Sequence, residues 1–258
     1  MTETARSDWR EPHGTWIVGH RGAPRRAREN TIESFDWAES FGVDAVELDV
    51  RQTRDGEAVV FHDEDVVLGG QRVPVRSFTA REVERLRLPS EQGEFGIPRL
   101  QDVVHRYGRA LRYVVEVKAS PNSDRGVMAR RIAGLASQYG VVPRCIVVSF
   151  DADFLRKMRE VDSRLATGYL FDHPVALPES GRLTPLFPPV DAIGPARELA
   201  TPVLLEHAAA AGLTVHPWTI NGPEEIRRFL AAGVASITTD EPDAARALRD
   251  GAPAPAPI

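Results

Sequence analysis

Three short runs set titratable side chains directly against apolar stretches. Trp16-Ile17-Val18-Gly19 leads into His20-Arg21, Val46-Glu47-Leu48-Asp49-Val50 carries two carboxylates two residues apart, and Val115-Glu116-Val117-Lys118 repeats that spacing with a carboxylate and an ammonium. In a strand, residues i and i+2 share a face, so each pair projects to one side. Phe61-His62-Asp63 adds a second histidine, and His216, Trp218, Asn221 and Asp240 lie near the C-terminal end. If Glu47, Asp49 and Glu116 converge, each pair of unit charges about 5 Å apart repels by roughly 3 kcal/mol at an effective dielectric near 20. A divalent cation together with Lys118 balances the three negative charges. All-oxygen ligation favours a hard ion, Mg²⁺ or Ca²⁺, over zinc.

Taken together these are the parts that phosphodiester cleavage needs. A metal with Arg21 and Lys118 neutralises charge on a phosphoryl oxygen. His20 and His62 can serve as general base and general acid near neutral pH. Taken singly, each residue has a plainer reading. Glu-x-Asp can be a polar strand end, Glu116 and Lys118 can simply pair, His20 can be a hydrogen-bonded core histidine, and Trp218 can be core. His13, His105, His173 and His207 read as structural or surface residues. Arg25, Arg26 and Arg28 read either as an anion-attracting rim or as a solvated charge run.

The elements that must position these residues are short and β-branched. Strands are expected at Trp16–His20, Ala45–Val50, Tyr113–Val117, Cys145–Ser149, Ala166–Phe171, Asp191–Gly194, Thr214–Trp218 and Ser236–Thr239. They are mostly apolar without strict alternation, as parallel strands covered by helices are. Asn30 is expected to cap a helix, with Glu33 completing a capping box and Phe35, Ala38 and Phe41 as its buried stripe. Asp151, Thr201-Pro202 and Pro223 open further helices, and Gly212 and Gly233 close two of them. This order predicts an α/β fold, a (β/α)8 TIM barrel whose site sits at the C-terminal strand ends. A doubly wound open sheet is the alternative. Arg54-Asp55-Gly56 predicts a turn to a further strand at Ala58–His62, followed by a small insertion over 63–98. A Pro-rich loop is expected over 172–190.

Composition narrows the function classes. The chain has 258 residues, with 32 Lys+Arg against 37 Asp+Glu and a net charge of −5, which excludes a generally basic nucleic-acid binder. A single cysteine, Cys145, excludes a disulfide-stapled domain. No apolar run is long enough to span a bilayer, and no leader-like segment opens the chain, so a cytoplasmic protein is expected. Residues 15–250 read as one catalytic barrel, with 1–14 and 251–258 as flexible tails.

His20-Arg21-Gly22, Glu29-Asn30-Thr31, Glu47-Leu48-Asp49-Val50, Thr53-Arg54-Asp55-Gly56 with His62-Asp63, and Glu116-Val117-Lys118 occur in order. With Ser149-Phe150, Trp218-Thr219-Ile220-Asn221 and Thr238-Thr239-Asp240-Glu241-Pro242, the set resembles the glycerophosphodiester phosphodiesterase family from about Thr15 to Leu248. The resemblance implies a metal-dependent hydrolase that converts small-molecule glycerophosphodiesters to glycerol 3-phosphate and an alcohol. It makes His20 and His62 the acid–base pair, Arg21 and Lys118 the phosphate-binding cations, and Glu47, Asp49 and Glu116 the ligands of Mg²⁺ or Ca²⁺. Trp218 becomes an aromatic wall beside the glycerol or its substituent, and Asn30 a cap on the site side of the first helix. The loop Ala23-Pro24-Arg25-Arg26-Ala27-Arg28-Glu29 is more basic than is usual for the family, which favours a more anionic substrate. The insertion reads Leu68-Gly69-Gly70-Gln71-Arg72 where the family often has Arg-Thr-Thr-Gly. A lipid phosphodiester substrate, or a catalytically silent phosphoester-binding barrel, are the alternative readings.

Overall fold

Eight of the apolar runs form parallel strands, because both of their faces are covered. The computed structural model describes residues 6–91, 93–120, 123–176 and 186–251. In chain order the strands are β1 (Trp16–Gly19), β2 (Ala45–Gln52), β3 (Ala58–Val60), β4 (Asp65–Leu68), β5 (Gln71–Pro74), β6 (Leu88–Ser90), β7 (Gly93–Phe95), β8 (Arg112–Val117), β9 (Cys145–Ser149), β10 (Ala166–Phe171), β11 (Ala192–Pro195), β12 (Thr214–Val215) and β13 (Ser236–Thr239). The helices are α1 (Ile32–Ser40), α2 (Ala80–Val83), α3 (Leu100–Tyr107), α4 (Arg125–Gln138), α5 (Ala152–Val161), α6 (Pro202–Ala210), α7 (Pro223–Ala232) and α8 (Pro242–Arg249).

Parallel pairing runs β12-β11-β10-β9-β8-β2-β1-β13. The ring is nearly closed. The expected strand Thr214–Trp218 is regular only over Thr214–Val215, although the His216 and Trp218 N–H groups still donate to the Ile193 and Pro195 carbonyls of β11 at 2.9 and 3.2 Å; Pro217 has no N–H to offer β13. Backbone bonds span the gap, among them those from the Ala235 N–H to the Val215 carbonyl at 3.0 Å and from the Thr238 N–H to the Pro217 carbonyl at 3.4 Å. The fold is thus a TIM barrel, and the open-sheet alternative falls away.

Side chains on the inner faces change character along the axis. Trp16, Val18, Ala45, Ile146, Val148, Ala166, Leu170 and Ala192 pack together within the ring, while the outer faces join the helices in the main core. The polar residues lie beyond this plug, at the C-terminal ends.

The expected N-terminal tail is instead a plug for the other end. Trp9 is fully buried. It meets Trp16 edge-on at 4.6 Å between ring centroids, and its indole N–H donates to the Arg144 carbonyl at 3.1 Å. Arg10 pairs with Asp191 at 3.0 Å, and the Ser7 hydroxyl donates to the Cys145 carbonyl at 2.8 Å. One tryptophan among polar residues has no periodicity, so burial was not visible in the pattern. Of the expected tails, 1–5 and 252–258 lie outside the described residues, as does 177–185 of the Pro-rich loop.

After β2 the chain turns at Gly56 (φ +82°) into β3, which pairs antiparallel with β2. The insertion then forms two hairpins, β4-β5 and β6-β7, around a small core that includes Val59, Phe61, Val66, Val75, Val83, Leu88 and Ile97. Val66 and Val75 are thereby buried, while Val67 between the β4 residues Val66 and Leu68 is exposed.

Candidate active site

Glu47 and Asp49 point into the barrel from β2, and Asp49 lies directly beside Glu116 of β8 in the strand register. One carboxylate oxygen from each of Glu47, Asp49 and Glu116 lies within 4.8 Å of the others. The spacing argument therefore brings three buried or nearly buried carboxylates to one point at the C-terminal mouth. His20 and Arg21 reach the same point from the end of β1, and Lys118 from the end of β8.

The turn after β1 is tightly built. A Cβ on Gly19 would sit 2.3 Å from the Gly22 carbonyl oxygen, and one on Gly22 (φ +93°) would sit 2.4 Å from Ser34 Oγ. Glycine is the residue that fits both positions. Arg21 itself is left-handed, with φ 53°, a strained conformation for a bulky side chain. That twist lets it serve twice. Its backbone N–H donates to Glu47 Oε2 at 2.9 Å, while its guanidinium Nε lies 3.0 Å from Asp49 Oδ2 and Nη1 donates to Glu29 Oε2 at 3.0 Å.

Asn30 is not the helix cap. Thr31 caps α1, its hydroxyl accepting from the Ser34 N–H, and with Ser34 rather than Glu33 at the third helical position no capping box forms. Asn30 is left-handed instead (φ 58°). Its amide donates to Asp49 Oδ2 at 2.8 Å and its carbonyl oxygen accepts from the Asp49 N–H at 3.2 Å. Both residues suit a cap position; the long-range bond to Asp49 decides between them.

The carboxylates are unequally compensated. Burial would push Asp49 up, but Lys118, whose Nζ is 3.1 Å from Oδ1, and Arg21, with the Asn30 bond, outweigh it and hold the carboxyl below its usual range. Burial raises Glu116 despite its ion pair with Lys118. Burial, and then the Asp49 charge, push Glu47 up to about 8. Glu47 Oε1 is buried with no hydrogen-bond partner. A bare carboxylate oxygen among three converging acids fits a hard divalent cation.

His20 is set by a partner that strand spacing does not reveal. Its Nδ1 is 2.7 Å from Asp240 Oδ1, at the end of β13. Asp240 Oδ2 accepts from the Asn221 amide at 2.7 Å, and Asn221 Oδ1 accepts from the Asp240 N–H at 2.9 Å and the Thr239 hydroxyl at 3.1 Å. Burial works against ionised Asp240, but its bonds from His20 and Asn221 hold its pKa below the usual range. Burial also opposes the His20 imidazolium, and the Asp240 bond with the Glu47 charge outweighs it, so the pKa is raised. An ionised carboxylate only accepts, so the proton sits on Nδ1 and Nε2, 4.0 Å from Glu47 Oε2, is the unprotonated nitrogen of the neutral ring.

His62 stands at the rim. Its side chain is 37% exposed, its Nδ1 lies 2.9 Å from Asp63 Oδ1, and it is close enough to Asp49 to help hold that carboxyl below its usual range. Trp218 lines the same cavity as His20, Glu47 and Glu116. Its indole N–H donates to the Gly194 carbonyl at 2.8 Å, and Phe150 meets it edge-on at 5.7 Å. His216, below it, is core: both ring nitrogens bond hydroxyls, of Ser236 at 2.8 Å and Thr214 at 2.9 Å, and burial pushes its pKa down to about 3. The basic loop is no free anion rim. Arg25 pairs with Glu241 at 2.7 Å, Arg26 with Asp243 at 2.8 Å, and Arg28 with Glu29 at 3.7 Å. That removes the basis for favouring a more anionic substrate.

Residues 20–244 match the family model described as the glycerophosphoryl diester phosphodiesterase family. A glycerophosphodiester phosphodiesterase of Caldanaerobacter subterraneus is 30% identical over 243 residues, covering 89% of this chain and 95% of that one. A crystal structure of a glycerophosphodiester phosphodiesterase from Thermotoga maritima superimposes with a TM-score of 0.71 at 27% identity, covering 90% of this chain and 96% of the other. An Oleispira antarctica phosphodiesterase, solved in complex with the product sn-glycerol-3-phosphate, shares the fold with a TM-score of 0.78 at 23% identity, over 92% and 97% of the two chains. Among the described residues, no helix is long and apolar enough to cross a membrane.

Proposed function

The chain belongs to the glycerophosphoryl diester phosphodiesterase family of enzymes, and from that premise we propose that it hydrolyses small glycerophosphodiesters to glycerol 3-phosphate and an alcohol. The observation that carries the reading is the convergence of three carboxylates within 4.8 Å with Arg21, Lys118 and a carboxylate-oriented histidine. In this reading Glu47, Asp49 and Glu116 hold a divalent cation, Mg²⁺ or Ca²⁺. When bound, that cation polarises the phosphoryl oxygens and offsets the charge that develops on them.

The remaining work belongs to the chain's own groups. Arg21 and Lys118 bind the phosphodiester anion and stabilise the negative charge that grows as the attacking oxygen adds. Each already bridges metal-site carboxylates, so cation and phosphate sites share their scaffolding. Of His20 and His62, one takes the proton from the attacking oxygen and the other gives a proton to the departing alkoxide. His20 performs its part from Nε2, because Asp240 holds the proton on Nδ1. The attacking oxygen is water or the substrate's own glycerol hydroxyl; the second route forms a cyclic phosphate that water then opens. Trp218, pinned by Gly194 and backed by Phe150, walls the side of the pocket where the glycerol or its substituent lies.

Product analysis tests this reading. Glycerophosphocholine should yield glycerol 3-phosphate and choline. Release of phosphocholine and glycerol would place the scissile bond on the wrong side of phosphorus and overturn it.

A further inference from the structure

Glu47 and Asp49 share one face of β2 with the next residue in that alternation, Arg51. Its guanidinium does not join the carboxylates. Nε and Nη2 both donate to the His62 carbonyl oxygen, at 3.0 and 2.7 Å, and Nη1 donates to the Lys118 carbonyl at 3.3 Å and Ser120 Oγ at 3.4 Å. We infer that Arg51 is a positioning residue that fixes the main chain of His62 over the site. This inference rests on the proposed role of His62 in proton transfer.

The reason lies in how weakly His62 is otherwise held. The β2-β3 ladder ends at the pair Val50 and Val60. Beyond it, the Phe61 N–H donates to the Asp49 carbonyl at 2.9 Å, and the His62 side chain has Asp63 as its neighbour at the exposed rim. A proton-transfer group must be held to within about 0.5 Å of its productive position. Two charge-assisted donors converging on one carbonyl supply that constraint. Lys118 does not depend on Arg51 in the same way. Its N–H donates to the Val50 carbonyl at 3.1 Å, and its ammonium is held by Asp49 and Glu116. The coupling from Arg51 therefore runs to His62.

A double-mutant cycle tests this with the full chain, glycerophosphocholine and saturating divalent cation. Arg51→Met should lower kcat by up to about 100-fold, the scale of a 1 Å misplacement, with KM and the thermal midpoint little changed. In a His62→Ala background the same substitution should alter kcat by no more than about twofold, because the group it positions is gone. Arg51→Lys, with one ammonium in place of the fork, should fall between wild type and the methionine variant, and it carries the cycle if Arg51→Met does not fold. Full loss persisting in the His62→Ala background, or a near-normal kcat for the folded variant, would overturn the inference while leaving the proposed function intact. Near-normal turnover by His62→Ala alone would overturn the role of His62, and the inference with it.

Discussion

Replacing Asp240 by asparagine changes no side-chain volume of consequence, yet it should be more damaging than deleting the side chain. Asp240 stands between His20, whose Nδ1 is 2.7 Å from Oδ1, and Asn221, whose amide donates to Oδ2 at 2.7 Å. The Asn221 amide cannot flip, because its Oδ1 already accepts from the Asp240 N–H at 2.9 Å and the Thr239 hydroxyl at 3.1 Å. In Asp240→Asn the new amide must therefore turn its oxygen to Asn221 and its NH₂ to His20. A donor facing Nδ1 forces the imidazole proton onto Nε2, the nitrogen that has to be free. A wrong tautomer of this kind costs up to about 10⁴ in a Ser-His-Asp triad, so a fall in kcat of about 10²–10⁴ is expected, or roughly 3–5 kcal/mol of barrier. Asp240→Ala leaves both tautomers open and should retain more activity than the asparagine variant. Steady-state release of glycerol 3-phosphate, with thermal melting as the check on folding, measures both. Asp240→Asn within a few-fold of wild type, or better than Asp240→Ala, would refute the tautomer argument.

Glu47→Gln removes one of the converging carboxylates, and the concentration of Mg²⁺ or Ca²⁺ needed for half-maximal activity should rise; an unchanged titration would remove Glu47 from the ligand set. Trp9→Ala should cost about 3–5 kcal/mol and lower the melting midpoint by about 2–4 °C for each of these, with kcat of the folded enzyme unaffected; a midpoint within a degree or two of wild type would contradict the plug. His216 is held neutral in the barrel with its pKa down to about 3, so its contribution to stability is fully present above the unfolded value near 6.5 and is lost as pH falls below it. By linkage that loss is about 2 kcal/mol between pH 7 and pH 5. In urea unfolding His216→Gln should show a loss smaller by that amount, and equal pH slopes would refute it.

The barrel was legible because two-sided burial leaves a plain mark, a short run without alternation, and because Glu47-x-Asp49 and Glu116-x-Lys118 carry the period of a strand. What escaped depends on partners far along the chain. The Thr31 cap in place of Asn30 follows from a bond 19 residues away. The Asp240 dyad closes over a separation of 220 residues. The arginines of the first loop look like a charge run until the start of α8 supplies Glu241, the residue before it, and Asp243 in its first turn. Trp9 lacked any periodic neighbour, although a tryptophan in a polar segment was a signal worth weighing. Arg51 had one usable clue, its place two residues beyond Asp49.

Glycerol 3-phosphate release from glycerophosphocholine after EDTA treatment, then with Mg²⁺ or Ca²⁺ restored, tests the central claim most directly. The account predicts activity lost with the chelator and recovered with a divalent cation. Undiminished release in EDTA would contradict the role given to Glu47, Asp49 and Glu116, and no release with either cation would contradict the proposed reaction.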